Sequence, residues 1–452
     1  MTAIGKCSGF GIVVGSISYG LAALTAPADA GGFAVREHST TSLGSAFAGA
    51  AAGGDISSIY WNSAATAALP GCNAASSYSL ILGRSDVTAE SGLFVDGTVV
   101  APGITVAGLT PTSTDVGSDV VVPASYLACQ LSDKLFVGLA LNSPFGLLTK
   151  PDDLAWAGSP IAVTSKVFST NLNPTLAYKL TPALTVGVGL QLEYLRIRLN
   201  HGSFASPLLG PLAGSRSFEA DDWGVGGTAG LLWQPLPGTS LGLGYRSPVS
   251  LEVEGGFRRG PGLTTGPAFF TEATADLTLP EQVTFSFRQA VAPGWAVLGT
   301  VEWVNWSRLG DVTAASAGCG AAGVCEVLNL NFRDGWFFSL GAEYAYSPAL
   351  VLRAGVAYEI SPIEDRTRDI LLPDSNRVFL SVGASYKYSE HITLDFAYSH
   401  IFFDDAPFCI ASAAANAGST HCNAGTPPPA ILLRGDSDTA VDIVSLGLRY
   451  RF

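Results

Sequence analysis

Residues 441–452 read VDIVSLGLRYRF. Val444, Leu446, Leu448, Tyr450 and Phe452 alternate with Ser445, Gly447, Arg449 and Arg451. A period of two puts successive side chains on opposite faces of a β-strand. One face here is aliphatic and aromatic, and the other carries the arginines. A soluble sandwich strand has the same period. A chain that stops on the last aromatic of such a strand is the pattern of an outer-membrane barrel whose final strand closes on its first.

Composition points the same way. Of 452 residues, 48% are hydrophobic and 13% charged, against about 25% charged in ordinary soluble domains. The longest apolar stretch, Phe10 to Leu24, is interrupted by Gly and Ser and falls short of the roughly 20 residues a spanning helix needs. It follows Lys6 and precedes Ala28-Asp29-Ala30. That layout predicts an export leader over residues 1–30, cut before Gly31, with a short N-terminal anchor helix as the alternative. Only helices and closed barrels satisfy their backbone in lipid, so a barrel is left. The leader carries one Lys and one Asp, so the mature chain keeps the formal charge of −13. An acidic export product with sparse Lys and Arg is a poor nucleic-acid binder. Such acidity belongs on solvated loops.

From Asn73 onward the chain alternates strand, short turn, strand, long loop. Short turns are expected at 132–134, 180–183, 234–238, 292–294, 347–349 and 389–391. Longer polar or Gly/Pro-rich loops are expected over 85–118, 147–165, 200–222, 255–272, 309–329, 362–374 and 406–436. They divide residues 72–452 into about fourteen antiparallel strands, with short turns on the periplasmic side and long loops outside. Trp336, Phe338, Leu340, Ala342 and Tyr344 share a face, as do Leu350, Leu352, Ala354 and Val356 after the next turn. Arg353 on the lipid face near mid-membrane would cost about 2–4 kcal/mol. The register is therefore set with charges inward, and the 347–349 turn puts Glu343 opposite Arg353 as a lumenal ion pair. Tyr344, Tyr346, Tyr386, Tyr388, Trp303, Trp306, Phe402 and Phe403 gather near strand ends, as interface girdles do.

Cys7 leaves with the leader. Cys319 and Cys325 share one loop, and Cys409 and Cys422 another. Cys72 starts the first strand and Cys129 ends the second, so antiparallel pairing brings them together. Three disulfides, Cys72–Cys129, Cys319–Cys325 and Cys409–Cys422, are expected in an exported protein. The spacings do not suit a metal site, and no metal or other cofactor is expected.

Residues 31–71 do not follow the strand pattern. Ser42 to Ala52 (SLGSAFAGAAA) is a small-residue run able to form helix, Asp55 and Asn62 are placed to cap further turns, and Pro70-Gly71 ends the segment. A fourteen-stranded lumen needs filling. An N-terminal plug is the economical reading, and a flexible periplasmic tail the alternative.

Several motifs now line up in order. They are Gly31-Gly32-Phe33, Ser42-Leu43-Gly44, Ala46-Phe47-Ala48-Gly49, Asn62-Ser63-Ala64, Asn142-Ser143-Pro144-Phe145-Gly146-Leu147, and Asn173-Pro174-Thr175-Leu176-Ala177-Tyr178. Leu279-Pro280-Glu281, Val301 to Ser307, Ser361-Pro362-Ile363 and Leu372-Pro373-Asp374-Ser375 follow. Each is weak alone. As an ordered set ending at Phe452, they make the chain resemble the FadL/TodX-type outer-membrane transport proteins for long-chain fatty acids and hydrophobic compounds.

The resemblance implies a fourteen-stranded barrel with an N-terminal hatch and passive passage of a hydrophobic ligand toward a lateral gap at a kink in the third strand. Here the kink would be Pro144, Phe145 and Gly146: Pro144 has no N–H to give a ladder, and Gly146 tolerates unusual backbone angles. Asn62, Ser63 and Ala64 stand where the family has Asn-Pro-Ala at its hatch. Ser63 lacks the stiffening of a first-turn proline. Phe33 matches the position whose ring lies beside bound ligand, with packing in the plug as the other reading. A ligand carboxylate would need a basic partner. Arg196, Arg198 and His201, beyond Tyr194, are candidates, although both arginines break the outward run of Val186, Val188, Leu190 and Leu192. A bulge, or emergence from the membrane into lipopolysaccharide or solvent, would account for them. Phe204, Leu208, Leu209, Leu212, Phe269 and Phe270 would form an external capture groove.

The implied partners are a fatty acid or hydrocarbon, outer-membrane lipid and lipopolysaccharide, and a monomer is expected in the outer membrane of a Gram-negative bacterium. A surface receptor or adhesin, a barrel enzyme such as a lipase, and a polar-solute porin are the competing classes. Ser399 and His400 are neighbours on a strand and point to opposite faces, so they do not form a catalytic pair.

Overall fold

The structure, a computed structural model, describes residues 32–452 apart from 97–98, 102–103, 106–108, 115, 152–154, 207–209, 264–265, 321, 371, 413–420, 424 and 427–430. The expected leader, with Leu208 and Leu209, lies outside the described residues. No described helix is long and apolar enough to cross a membrane.

Fourteen antiparallel strands close into one barrel. β1 is Cys72–Ser91, β2 Val120–Gln130, β4 Thr164–Lys179, β5 Leu184–His201 and β6 Arg216–Trp233. β11 is Leu350–Ile360, β12 Arg377–Lys387 and β14 Ile431–Arg451. The others run in two pieces: β3 (Leu135–Asn142, Gly146–Thr149), β7 (Thr239–Arg246, Val249–Arg259), and β8 (Phe269–Leu279, Gln282–Ala292, in chain order). β9 (Trp295–Val304, Asp311–Ala315), β10 (Val324–Asn329, Gly335–Ser347) and β13 (Ile392–Phe403, Ala406–Ala411) do the same. The seam is the β1–β14 ladder, from Asn73 opposite Arg451 to Ser91 opposite Arg434. The Phe452 amide donates to the Cys72 carbonyl at 3.0 Å.

The short turns fall where the sequence puts them, but the strands run further outward than the loop pattern predicts. Asp311–Ala315 and Val324–Asn329, expected as loop, pair as strands. β1 is 20 residues long and β14 is 21, about twice the 9–11 a spanning strand needs. The outward face of β1 shows where lipid ends: Tyr78, Leu80 and Leu82 give way to Arg84. Above that level both faces tolerate polar residues, so the alternation that marks a strand in sequence fades.

In β7 to β10 the breaks lie side by side, because Arg246 opposes Gln282, Gln282 opposes Val304, and Val304 opposes Gly335. Pro248 and Pro280 sit in two of them and have no amide for the ladder. The break in β9 carries a one-turn 3₁₀ segment, Trp306–Arg308, which turns Trp306 inward to 2% exposure. Trp306 is therefore a lumenal residue and not part of an interface girdle. Phe403 likewise packs against the interior, whereas Tyr346, Tyr386, Tyr388 and Phe402 face out.

Candidate functional site

Residues 33–67 are nearly all buried inside the barrel. Each turn of this segment has a side-chain cap. Ser39 Oγ accepts from the Ser42 amide, Asp55 Oδ1 from Ser57, and Asn62 Oδ1 from Ala64, each satisfying an amide that the turn leaves free. Its backbone is tied to many strands: Gly49 N–H to Thr300, Ala51 N–H to Ser286, and the carbonyls of His38, Ala52 and Tyr60 to Tyr126, Ser240 and Arg246. The wall leaves room for this. A Cβ on Gly242 would lie 1.8 Å from the Ala51 carbonyl oxygen, and one on Gly244 would lie 1.6 Å from that of Trp61.

At Asn62-Ser63-Ala64 the missing proline is offset in part. Asn62 Nδ2 donates to the Ala51 and Leu231 carbonyls at 2.8 Å each. Ser63 Oγ meets Thr228 Oγ1 at 2.6 Å, a bond proline could not make.

Buried charges fasten the first residues. Arg36 pairs with Glu302, and with Glu359 at 2.9 Å; Arg377 joins Glu359 to Asp374, which accepts from the Gly32 amide at 3.0 Å. His38 lies against Tyr60, ring centroids 4.0 Å apart. Burial, with Arg246 and Arg36 nearby, pushes its pKa down to about 3, so it is neutral. Burial pushes the Glu37 carboxyl up.

The break in β3 meets this segment directly. Val35 N–H donates to the Pro144 carbonyl at 2.8 Å, and Gly146 N–H to the Phe33 carbonyl at 2.8 Å. The Phe33 ring lies 4.8 Å from Trp306 and 5.8 Å from Phe145. β2 pairs with β3 only from Ser125–Leu141 to Gln130–Phe136. Among the described residues, Val120 to Ala124 have no partner on that side. Pro123, Leu141, Asn142, Ser143 and Phe168 line a recess of about 60 Å³ in the wall there.

The outer mouth holds a cavity of about 450 Å³ lined by Leu328, Leu330, Phe332, Ile363 and Leu372, with His201, Arg216 and Glu326. Glu326 Oε1 lies 3.1 Å from His201 Nε2 and 3.5 Å from Arg216 Nη1. His201 thus reaches the cavity and Arg196 and Arg198 do not. β5 pairs with β4 and β6 through this region without a register shift. There is no bulge, and both arginines stay on the outward face beside Glu219, above the Tyr194–Trp223 contact at 5.2 Å. Phe269 faces in, whereas Phe270 is exposed outside under Arg258. Phe204 begins a small hairpin apart from the barrel sheet, and its side chain, with that of Leu212, is outside the described features. Arg216, Glu326 and Trp306 were not in the sequence-based site. Arg216 could have been found only from its register opposite His201.

Towards the periplasm, Arg353 Nε meets Glu343 Oε1 at 2.9 Å and Arg288 Nε meets Oε2 at 2.7 Å. Three disulfides join Cys72–Cys129, Cys319–Cys325 and Cys409–Cys422. Ser399 is buried inside, and His400 lies 2.7 Å from Asp442.

Residues 21–452 match the family model described as outer membrane protein transport protein (OMPP1/FadL/TodX). The chain belongs to this family. The long-chain fatty acid transport protein of Salmonella typhi is 24% identical over 417 residues, covering 85% of this chain and 91% of the relative. Outer membrane protein P1 of Haemophilus influenzae is 25% identical over 414 residues, covering 83% and 86%. A Pseudomonas aeruginosa FadL homologue superposes with a TM-score of 0.79 at 21% identity, over 93% of this chain and all (100%) of that one. The Ralstonia pickettii toluene transporter TbuX gives 0.62 at 16% identity, over 93% and 99%. Like these OMPP1/FadL/TodX barrels, the chain is built to sit in the outer membrane, with its apolar belt toward lipid.

Proposed function

We propose that this protein carries hydrophobic molecules, long-chain fatty acids or related hydrocarbons, passively across the outer membrane. Residues 31–71 act as the hatch and residues 72–452 as the barrel. A ligand enters the apolar mouth, passes the Phe33–Phe145–Trp306 cluster, and leaves sideways between β2 and β3 at Pro144–Gly146. The lateral route spares an apolar molecule the polar layer outside and the periplasmic water inside. The observation that carries this reading is the pair of backbone bonds between residues 33–35 and the β3 break, beside the unpaired part of β2. Any movement of the first hatch residues must release that break. The names of the relatives, fatty-acid and toluene transporters, agree with a hydrophobic cargo. Outside, Arg196 and Arg198 above Tyr194 and Trp223 suit lipopolysaccharide phosphates, and a single closed barrel is sufficient as a monomer.

The test is uptake of radiolabelled oleate and toluene by cells lacking their own such transporter. Cells with the wild-type chain should take up one or both. Those with Pro144-Phe145-Gly146 replaced by Val-Thr-Val, which restores strand pairing, should not. Uptake unaffected by that replacement would refute the lateral route.

A further inference from the structure

We propose that the lumenal wall below the β3 break holds a site for a hard cation of the calcium class, built from Asn142, Asn171, Asn173 and Glu193. The site goes beyond the transport reading and stands whichever route the cargo takes. By register, Asn142 on β3 opposes Asn171 on β4, and Asn171 opposes Glu193 on β5. Directly opposed side chains start about 4.5–5.5 Å apart at Cβ. Asn173 lies two residues along β4, on the same face as Asn171. All four face the lumen and are no more than 1% exposed. They form one continuous polar patch across three strands.

Each of these side chains has an oxygen to spare. Asn142 Oδ1, Asn171 Oδ1, Asn173 Oδ1 and Glu193 Oε1 are buried without a hydrogen-bond partner among the described residues. Two of the amides are fixed in orientation. Asn171 Nδ2 donates to Glu193 Oε2 at 2.6 Å, and Asn173 Nδ2 to the Leu190 carbonyl at 2.7 Å. Turning either amide over would set oxygen against oxygen. Glu193 makes no ion pair among the described residues. Arg246 on β7 donates instead to Gln191 Oε1 at 2.6 Å and to the Tyr60 carbonyl at 3.2 Å. Ser169, whose hydroxyl also neighbours Glu193, is neutral.

A buried carboxylate is paired, protonated or bound to a metal. A proton on Glu193 supplies one donor, whereas a cation satisfies all four oxygens at once. Carboxylate and amide oxygens at about 2.3–2.6 Å are the ligands calcium takes, and an all-oxygen set does not select zinc or copper. Asn142 is the last residue of β3 before its break, and beyond the break the Phe145 amide donates to Ser169 Oγ at 2.9 Å. A cation held by Asn142, Asn171 and Glu193 ties the end of β3 to β4 and β5 and opposes widening of the break.

The experiment is hydrogen exchange on the full-length protein in nonionic detergent, with calcium chloride compared with EGTA at equal ionic strength. A site with a single carboxylate should have a dissociation constant of about 10⁻⁴–10⁻³ M, so about 10 mM calcium should slow exchange at the Phe145 and Gly146 amides about tenfold or more. Glu193→Gln and Asn142→Leu should each lose most of that slowing, together with the matching binding of radiolabelled calcium in equilibrium dialysis. Glu252→Gln, which changes an exposed acid on the outer surface of β7, should keep both. Wild-type exchange at these two amides unchanged by calcium overturns the site, and this comparison decides even where a variant does not fold. Equal slowing in wild type, Glu193→Gln and Asn142→Leu overturns it too. Either result leaves the transport reading in place, which uptake tests separately.

Discussion

Arg36→Met is the sharpest perturbation of the buried N-terminal segment. Arg36 is 8% exposed. It pairs with Glu302, and with Glu359 at 2.9 Å, and its guanidinium lies 3.9 Å from the centre of the Phe337 ring. Methionine keeps the apolar contact and removes the charge. Breaking a buried pair usually costs about 3–5 kcal/mol, because the partner is stranded. Here neither acid is stranded fully. Glu302 keeps Gln282 and Thr284, at 2.5 and 2.8 Å, and Glu359 keeps Arg377 at 2.9 Å. The expected cost is therefore at the low end, about 3 kcal/mol, or about a hundredfold in the seating equilibrium. Hydrogen exchange reads it directly. The amides of Val35, Gly49 and Ala51 should exchange about a hundredfold faster, and those of β11 to β14 should not change. Arg36→Met with Glu302→Gln should recover part of the loss, since one uncompensated carboxylate is gone. Unchanged exchange at these amides, or equal acceleration throughout the barrel, would refute the reasoning.

Three other outcomes are expected. His38 is neutral in the seated N-terminal segment, with a pKa of about 3 against about 6.5 when exposed. The unseated segment binds the extra proton, so seating weakens as pH falls below about 6.5, by up to about 1.4 kcal/mol per pH unit. Exchange measured at pH 7 and pH 5 should show this slope in wild type relative to His38→Gln; the opposing rise at Glu37 is common to both and cancels. Ser63→Pro gains a stiff first turn but loses the bond to Thr228. Its net effect on seating should lie within about 1 kcal/mol, and a larger loss by exchange would mean the hydroxyl bond dominates. Cys72→Ser with Cys129→Ser should lower barrel stability by about 2–4 kcal/mol, seen as a lower temperature for the unfolding shift on cold-loaded gels, with uptake retained.

The barrel could be read from sequence because lipid demands it: on β14 the outward Val444, Leu446 and Leu448 oppose the inward Ser445 and Gly447. The same physics explains where that reading stopped. Beyond Arg84 on β1 the outward face meets water, the contrast disappears, and strand reads as loop. Trp306 resembled a girdle residue by type and position, but the break at 305–310 turns it toward Phe33. Arg196 and Arg198 suggested a lumenal head-group site because they end an apolar run. They end it on the outside, where the strand leaves lipid. His201, Arg216 and Glu326 meet at the outer mouth from positions up to 125 residues apart, and nothing local marks them as neighbours until strand register is known.

The central claim is that the N-terminal segment closes the bore and cargo leaves through the wall between β2 and β3. Its most direct test is Ala124→Cys with Ser143→Cys, joined by a short bifunctional thiol reagent, with uptake of labelled oleate and toluene compared with each single cysteine. The account predicts that the cross-link abolishes uptake while the single variants treated alike retain it. Uptake at wild-type rate through the cross-linked barrel would contradict it.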